Sequence, residues 1–307
     1  MAKPRILVVG SVNMDIVARV AHIPAPGENV RGWQLKTIPG GKGANQAVAA
    51  ARLGAETTLL ARVGDDEFGQ RLRKGLAEAG VRTGAVKTVA DCPSGVALIL
   101  VDANGQNCIV ITAGANARLG PEDIDRASDL VAEADAVVLQ QEIPAETVAR
   151  TIHLARGLGK PTIVDAAPPR EPVDMSVFDC TILTPNEAEA AALLGIPLAE
   201  ASAKAMAEEL LARGPQAVVV KAGRHGAVVA QGDRLELVPA FRIEPVDATA
   251  AGDAFTAALA LEHVKGTDLV EAARVANAAG ALACLKHGAQ PSMPTADEVA
   301  EFLKRNA

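Results

Sequence analysis

The sequence predicts an α/β fold, a mostly parallel sheet with helices on both faces and a small projecting β-sheet. Three observations carry that prediction. Short apolar runs alternate with helical stretches along most of the chain, the rhythm of strand–helix–strand units. The run Ile6-Leu-Val-Val-Gly10 is continuously apolar and closed by glycine, as befits a strand buried on both faces. Two segments, about 14–37 and 94–112, break the rhythm and read as short alternating strands.

The elements follow in order. Ile6–Gly10 is a central strand, with Ser11 to Asp15 at its C-terminal end, where open α/β sheets bind ligands. No helix is written between Asp15 and Lys36, a stretch holding Pro24, Pro26 and Gly27. Gly43–Leu53 has helical spacing, Thr57–Val63 reads as a strand, and Asp66–Ala79 as a charged amphipathic helix. Gly95–Val101 and Gln106–Thr112 flank Asn104-Gly105, a hairpin signal. The alternation then resumes: helix Pro121–Ala134, strand Ala136–Gln140, helix Pro144–Gly157, strands Pro161–Asp165 and Thr181–Thr184. Helices Asn186–Leu194 and Ala201–Arg213, strands Ala217–Lys221 and Gly226–Ala230, a strand-like approach from Leu235 to Val246 and three closing helices complete the chain. No repeat or linker divides it, so residues 1–307 read as one domain.

Composition narrows the function classes. Hydrophobic residues make up 49% of the 307, ample for a sizeable core. A net charge of −7 and no tyrosine leave no basic footprint or stacking platform for nucleic acid. Cys92, Cys108, Cys180 and Cys284 have no metal or redox spacing, and neither do the five histidines, so a zinc site or a Ser-His-Asp hydrolase is not indicated. The start, Met-Ala-Lys-Pro-Arg, precedes an apolar run too short for an export signal, and no membrane-length apolar run occurs. A cytoplasmic, membrane-free protein is expected.

Two glycine-rich stretches carry the chemistry. Val246 to Thr256 places Ala-Ala-Gly-Asp before an Ala-rich helix, where small residues admit a ligand and first-turn N–H groups favour an anion. Asp253 there could equally cap the helix. Pro39-Gly-Gly-Lys-Gly-Ala-Asn-Gln46 lacks the spacing of a P-loop or dinucleotide fingerprint, and alone is an ordinary helix start. Asn186-x-x-Glu189 reads by itself as a capping pattern.

Together these stretches resemble the ribokinase family of sugar and nucleoside kinases, and the resemblance runs the length of the chain. Gly10-Ser-Val-Asn-Met-Asp15, Gly40-Gly41-Lys42-Gly43, Gln141-Glu142, Thr184-Pro-Asn-Glu-Ala-Glu189, Val220-Lys-Ala-Gly223 with Gly226, Asp247 to Asp253 and Gly288-Ala-Gln-Pro-Ser292 follow in the family's order. The fold implied is the family's three-layer α/β/α arrangement, with the two β segments as a lid. The activity implied is ATP-dependent phosphorylation of a sugar, D-ribose at its 5-hydroxyl, with another member kinase acting on a nucleoside or hexose as the alternative. A sugar-binding regulator without catalysis is the alternative of another class, and it would be expected to lose Asp253 or the glycine before it.

The resemblance assigns roles. Asp253 would be the base, with Ala250, Ala251 and Gly252 forming an anion hole through their N–H groups. Asn13, Asp15, Gly41, Lys42, Asn45, Glu142 and Asp253 would hold the sugar, walled by Ala97, Ile99 and Ile111. Asn186, Lys221, Gly223, Gly226, Gly252 and Asn277 would meet the nucleotide, with Ala276 beside the adenine. Glu189 would hold Mg²⁺ through water. Asp247, Thr249, Ala283, Gly288 and Ser292 would surround a monovalent cation, K⁺, although Asp247 could simply brace its turn and Ser292 cap the last helix. The lid implies a homodimer. One departure stands out: Asp165-Ala-Ala-Pro168 lies where the family often has Asn-Pro-Ala-Pro, making Asp165 a secondary Mg²⁺ candidate.

Overall fold

The computed structural model describes residues 3–306. The Met1-Ala2 start and Ala307, the bounds of the expected domain, lie outside them. Strand β1 (Arg5–Val9) leads into an antiparallel pair, β2 (Asn13–Val20) and β3 (Gly32–Gly40). Helix α1 (Lys42–Arg52), β4 (Glu56–Gly64), α2 (Glu67–Glu78) and β5 (Val86–Val89) follow, then the hairpin β6 (Gly95–Val101) and β7 (Asn107–Thr112). Next come α3 (Pro121–Arg126), α4 (Ser128–Glu133), β8 (Ala136–Leu139), α5 (Ala145–Gly157), β9 (Thr162–Val164) and β10 (Ile182–Leu183). Helices α6 (Glu187–Leu194) and α7 (Ala203–Leu211) precede β11 (Ala217–Lys221), β12 (Ala227–Gln231) and β13 (Arg234–Val238). Helices α8 (Ala251–Val264), α9 (Leu269–Ala283) and α10 (Ala296–Arg305) close the chain.

Nine strands form one sheet in the order β13-β12-β11-β10-β9-β8-β1-β4-β5, parallel except for β12, which runs antiparallel to both its neighbours. Successive side chains of a strand point to opposite faces, so an all-apolar strand feeds two cores. Ile6 and Val8 join the core under α1, α2, α8 and α9, while Leu7 and Val9 join the core under α3 to α7. Each fully buried Leu or Ile of this kind contributes about 1.5–3 kcal/mol. Helices α8 and α9 pack on each other and are lined by buried alanines such as Ala257, Ala258, Ala272 and Ala276, whose small side chains admit close backbone approach.

From β1 the sheet extends one way through β4 and the other way through β8. That reversal opens a crevice at the C-terminal ends of β1 and β8, the usual ligand position in such sheets. The second sheet, in the order β3-β2-β6-β7, stands beside this crevice. Its register puts Asp15 opposite Ile38 and Ala97, and Ala97 opposite Ile111, so these four share one face with Ile99. The other face exposes Leu35, Leu98 and Val110, each about half or more accessible.

Four details differ from expectation. The helix expected over Pro121–Ala134 is broken at Ala127, whose φ of −104° and ψ of 18° leave helical geometry between α3 and α4. The edge strand β5 has only four residues, Val-Lys-Thr-Val, and no distinctive signal. The approach expected to stay extended to Val246 is paired only to Val238, after which Pro239 and Pro245 sit in an unpaired loop. Thr295, not Ser292, caps the last helix, because its side chain accepts from Glu298 N.

Candidate active site

Two helix starts and five strand ends meet at the crevice. Asn13 and Asp15 follow β1, Glu142 follows β8, Asp165 follows β9, Asn186 follows β10, and Lys221 ends β11. The start of α1 is pressed onto the exit of β1. Gly41 has φ +87°, and a Cβ there would lie 2.6 Å from Asn13 N; a Cβ on Gly43 would lie 2.6 Å from Gly10 C. Only glycine allows both the conformation and the approach. The first turn of α1 thereby carries Lys42, Asn45 and Gln46 into the crevice, opposite α8.

At the start of α8, Ala250 adopts left-handed geometry, φ 60° and ψ 12°. For a non-glycine residue this costs about 1–2 kcal/mol. The turn it produces pairs Ala251 N with Ala248 O at 3.2 Å and Ala254 N with Ala250 O at 3.0 Å. Ala251 N–H is therefore already used, while the N–H groups of Gly252 and Asp253 have no acceptor among the described residues. Asp253 is 4% exposed. It does not cap its helix: one oxygen accepts from Asn45 Nδ2 at 2.9 Å, the other from Gln46 Nε2 at 3.0 Å. Burial pushes its carboxyl up to about 6, with Lys42 pulling down and Asp165 pushing up. Burial lowers the Lys42 ammonium, but the carboxylates of Asp253, Asp165, Glu142 and Glu189 outweigh it and hold Lys42 above its ordinary range.

The residues assigned to the sugar surround this point. Asn13 is 3% exposed, and its Oδ1 accepts from Asn116 Nδ2 at 2.7 Å; Asn116 Oδ1 in turn accepts from Val12 N at 2.9 Å. Glu142 accepts from Ser11 Oγ and, at 3.0 Å, from Lys42 N. Asp15 is pushed up to about 7 by burial and then by Glu142 and Asp253. Ala97 is buried, Ile99 half-buried, and Ile111 about half exposed on the same face. Asn13, Glu142, Ile111 and Asn116 also border a cavity of 330 Å³.

On the opposite side of Gly252 lies a cavity of 670 Å³ bordered by Lys221, Gly223, Gly226, Phe241, Ile243 and Asn277. Asn277 Nδ2 donates to Val238 O and Pro239 O, fixing the wall of the cavity. Ala276, expected near an adenine, is fully buried in the helical core and does not border it. Asn186 and Glu189 cap α6 reciprocally, Glu189 N donating to Asn186 at 2.8 Å and Asn186 N to Glu189 Oε2 at 2.7 Å. Glu189 Oε1 has no partner among the described residues. Burial raises Glu189 above the usual range; Lys221 opposes this and Asp165 adds to it. A half-buried carboxylate with one free oxygen fits a cation held through water. No three His, Cys, Asp or Glu side chains converge into a metal cage among the described residues. Asp165 is a poor direct ligand, since Lys221 Nζ and Gln46 Nε2 already occupy its two oxygens.

The loops assigned to a monovalent cation do come together. Asp247 accepts from Thr249 N and Gly288 N, both at 2.9 Å, so it braces its own turn and ties it to the second loop. Ser292 Oγ donates to Ala289 O at 2.7 Å, and Ala283 O accepts from Lys286 N at 3.3 Å.

Sequence reading gave no roles to Gln46, Asn116, Phe241 or Ile243. Gln46 lies inside a motif already singled out, one residue beyond Asn45, and its reach to two carboxylates is visible only once α1 faces α8. Asn116 sits in a short 3₁₀ turn with no signal of its own.

Residues 3–296 match the pfkB family of carbohydrate kinases. The chain is 40% identical to a ribokinase of Bacillus subtilis over 298 residues, covering 97% of this chain and 99% of that one. It is 37% identical to a deoxyribokinase of Salmonella typhi over 303 residues, covering 98% and 99%. Its fold is similar to that of an Arabidopsis thaliana ribokinase complexed with ribose and ATP, with a TM-score of 0.90, 33% identity and 99% coverage of each chain.

Proposed function

We propose, for a chain that belongs to the pfkB family of carbohydrate kinases, that it transfers the γ-phosphoryl group of ATP to the 5-hydroxyl of D-ribose. The observation that carries this reading is the buried Asp253 carboxylate beside two unpaired N–H groups at a helix start. Asp253 takes the proton of the sugar hydroxyl as its oxygen bonds to phosphorus, and the bond from phosphorus to the departing ADP breaks. A base displaced upward to about 6 is better matched to this task than an ordinary carboxylate. The N–H groups of Gly252 and Asp253 face the charge on the transferred group, the preorganised arrangement that accounts for much of phosphoryl-transfer catalysis. Lys42, among four carboxylates, holds a positive charge near the same centre.

Asn13, Asp15, Gly41, Asn45 and Glu142 bind the sugar, with Ala97, Ile99 and Ile111 excluding water from the lid side. The nucleotide occupies the 670 Å³ cavity, its base against Phe241 and Ile243. A divalent metal accompanies the nucleotide; we assign Mg²⁺, with Glu189 holding it through water, where it would neutralise polyphosphate charge. Asp247, Thr249, Ala283, Gly288 and Ser292 are assigned to K⁺, which would order the Ala250–Asp253 backbone. Four unpaired cysteines and the need for ATP favour the cytoplasm, and no described helix is long and apolar enough to cross a membrane. The exposed Leu35, Leu98 and Val110 face favours a homodimer through the lids; light scattering at micromolar concentration checks it, and a monomer would contradict it.

Release of ADP, measured by a coupled assay over a panel of sugars and nucleosides, tests the reading. D-ribose is expected to be the best acceptor, with 2-deoxyribose second given the similarity to a deoxyribokinase. Preference for a nucleoside or a hexose would overturn the assignment.

A further inference from the structure

Asp165 is 1% exposed, and its oxygens are divided between two donors. Oδ1 accepts from Lys221 Nζ at 2.7 Å, and Oδ2 accepts from Gln46 Nε2 at 2.9 Å. Gln46 is itself held, its Oε1 accepting from Gln140 Nε2 at 2.6 Å. Two carboxylates on the other side require its NH₂ there, so the amide has one satisfactory orientation. The Asp165 carboxylate is thus fixed from both sides.

Lys221 is only 12% exposed along its side chain, and its ammonium lies over the start of α8: a Cβ built on Gly252 would be 3.6 Å from Nζ. Lysine is a point charge on a flexible stem, and nothing in its own chain would keep it there. The other charges around this pair are the Glu189 carboxylate and the Lys42 ammonium.

We propose that Asp165 is a positioning residue that holds the Lys221 ammonium over Gly252, where the γ-phosphoryl group of ATP lies. The proposal rests on the kinase reading for the place of that phosphoryl group. Lys221 then meets a group that ATP has and ADP lacks, so Asp165 sets the preference for ATP over ADP without touching either nucleotide. A charged partner removed from such a buried pair leaves the other uncompensated, whereas a neutral pair replaces both at little cost.

Calorimetric titration with MgATP and MgADP, run on the parent, Asp165→Asn, Lys221→Thr and the double variant, tests this beside the ribose assay. Asp165→Asn is expected to weaken ATP about tenfold, the scale of one charge-assisted hydrogen bond, with ADP little changed. Lys221→Thr should do the same, and the double variant should be no worse than Lys221→Thr. Where Asp165→Asn fails to fold, the neutral-pair double variant supplies the result: loss of the parent's ATP preference supports the tether. The idea is overturned if Asp165→Asn or the double variant keeps the parent's ratio, if both nucleotides weaken equally, or if the two single effects simply add. A parent that binds ATP but does not phosphorylate ribose would sink the ribose assignment and leave the tether to be judged on the ratio; a parent that binds neither nucleotide ends both.

Discussion

The two sides of Gly252 are built differently. On the side assigned to the sugar the polar side chains hold one another: Asn116 fixes Asn13, Asn45 and Gln46 fix Asp253, and Ser11 and the Lys42 N–H fix Glu142. On the side assigned to the nucleotide the 670 Å³ cavity is walled by Phe241, Ile243 and glycines, and Asn277 Nδ2 donates to backbone carbonyls. The first arrangement is suited to recognising a ligand by its hydroxyl pattern, because a mismatched group would leave a buried donor or acceptor unpaired. The second is suited to recognition by shape and phosphate charge, which would tolerate small changes. Preorganisation is concentrated on the side assigned to the smaller ligand, and a rigid site of that kind belongs on helix starts and strand ends.

Breaking the sugar side should therefore cost most. Asn13→Ala is expected to raise the KM for ribose roughly 10- to 100-fold, the loss of one or two buried hydrogen bonds, while the KM for ATP barely moves. Steady-state kinetics with each substrate varied in turn checks this, and equal effects on both would erase the distinction between the two sides.

The opposite perturbation sharpens it. Asn277→Ala removes an amide that braces the wall at Val238 and Pro239, and should raise the KM for ATP about two- to fivefold with ribose unaffected. A loss as large as that of Asn13→Ala would mean the nucleotide side is also interlocked. The smallest effect is expected from the loops around Asp247. Replacing Na⁺ by K⁺ at fixed ionic strength and saturating Mg²⁺ should raise turnover several-fold while leaving the sugar KM nearly constant, because the ion would touch the backbone of the hole and not the sugar. Equal rates in Na⁺, K⁺ and Cs⁺ would remove the cation from the account.

Much of the fold was legible in the sequence, for identifiable reasons. Strands such as β1 and β8 are continuous apolar runs, and the Asn104-Gly105 turn marks its hairpin, so the sheet and the hairpin could be read locally, whereas a lid was implied only by the resemblance. Asp253 and Lys42 were singled out by the resemblance, since each glycine-rich stretch read alone is an ordinary helix start or cap. The unseen parts depend on tertiary approach. Gln46 and Asn116 act through bonds to residues about a hundred or more positions away, and Asp165 reads as a lone substitution until β11 brings Lys221 beside it. The cavity wall at Phe241 and Ile243 lies in a loop without periodicity, and the paired strand stops before it.

The most direct test of the central claim is turnover of Asp253→Asn with ribose and MgATP saturating, measured beside the affinity for ATP. The substitution keeps the helix start and its free N–H groups while removing the proton acceptor. The account predicts a fall in kcat of roughly 10²–10⁴ with ATP affinity little changed. It also predicts that the parent's kcat/KM declines as pH drops through about 6 to 7, where Asp253 and Asp15 take up protons. Turnover by Asp253→Asn close to that of the parent would contradict the account.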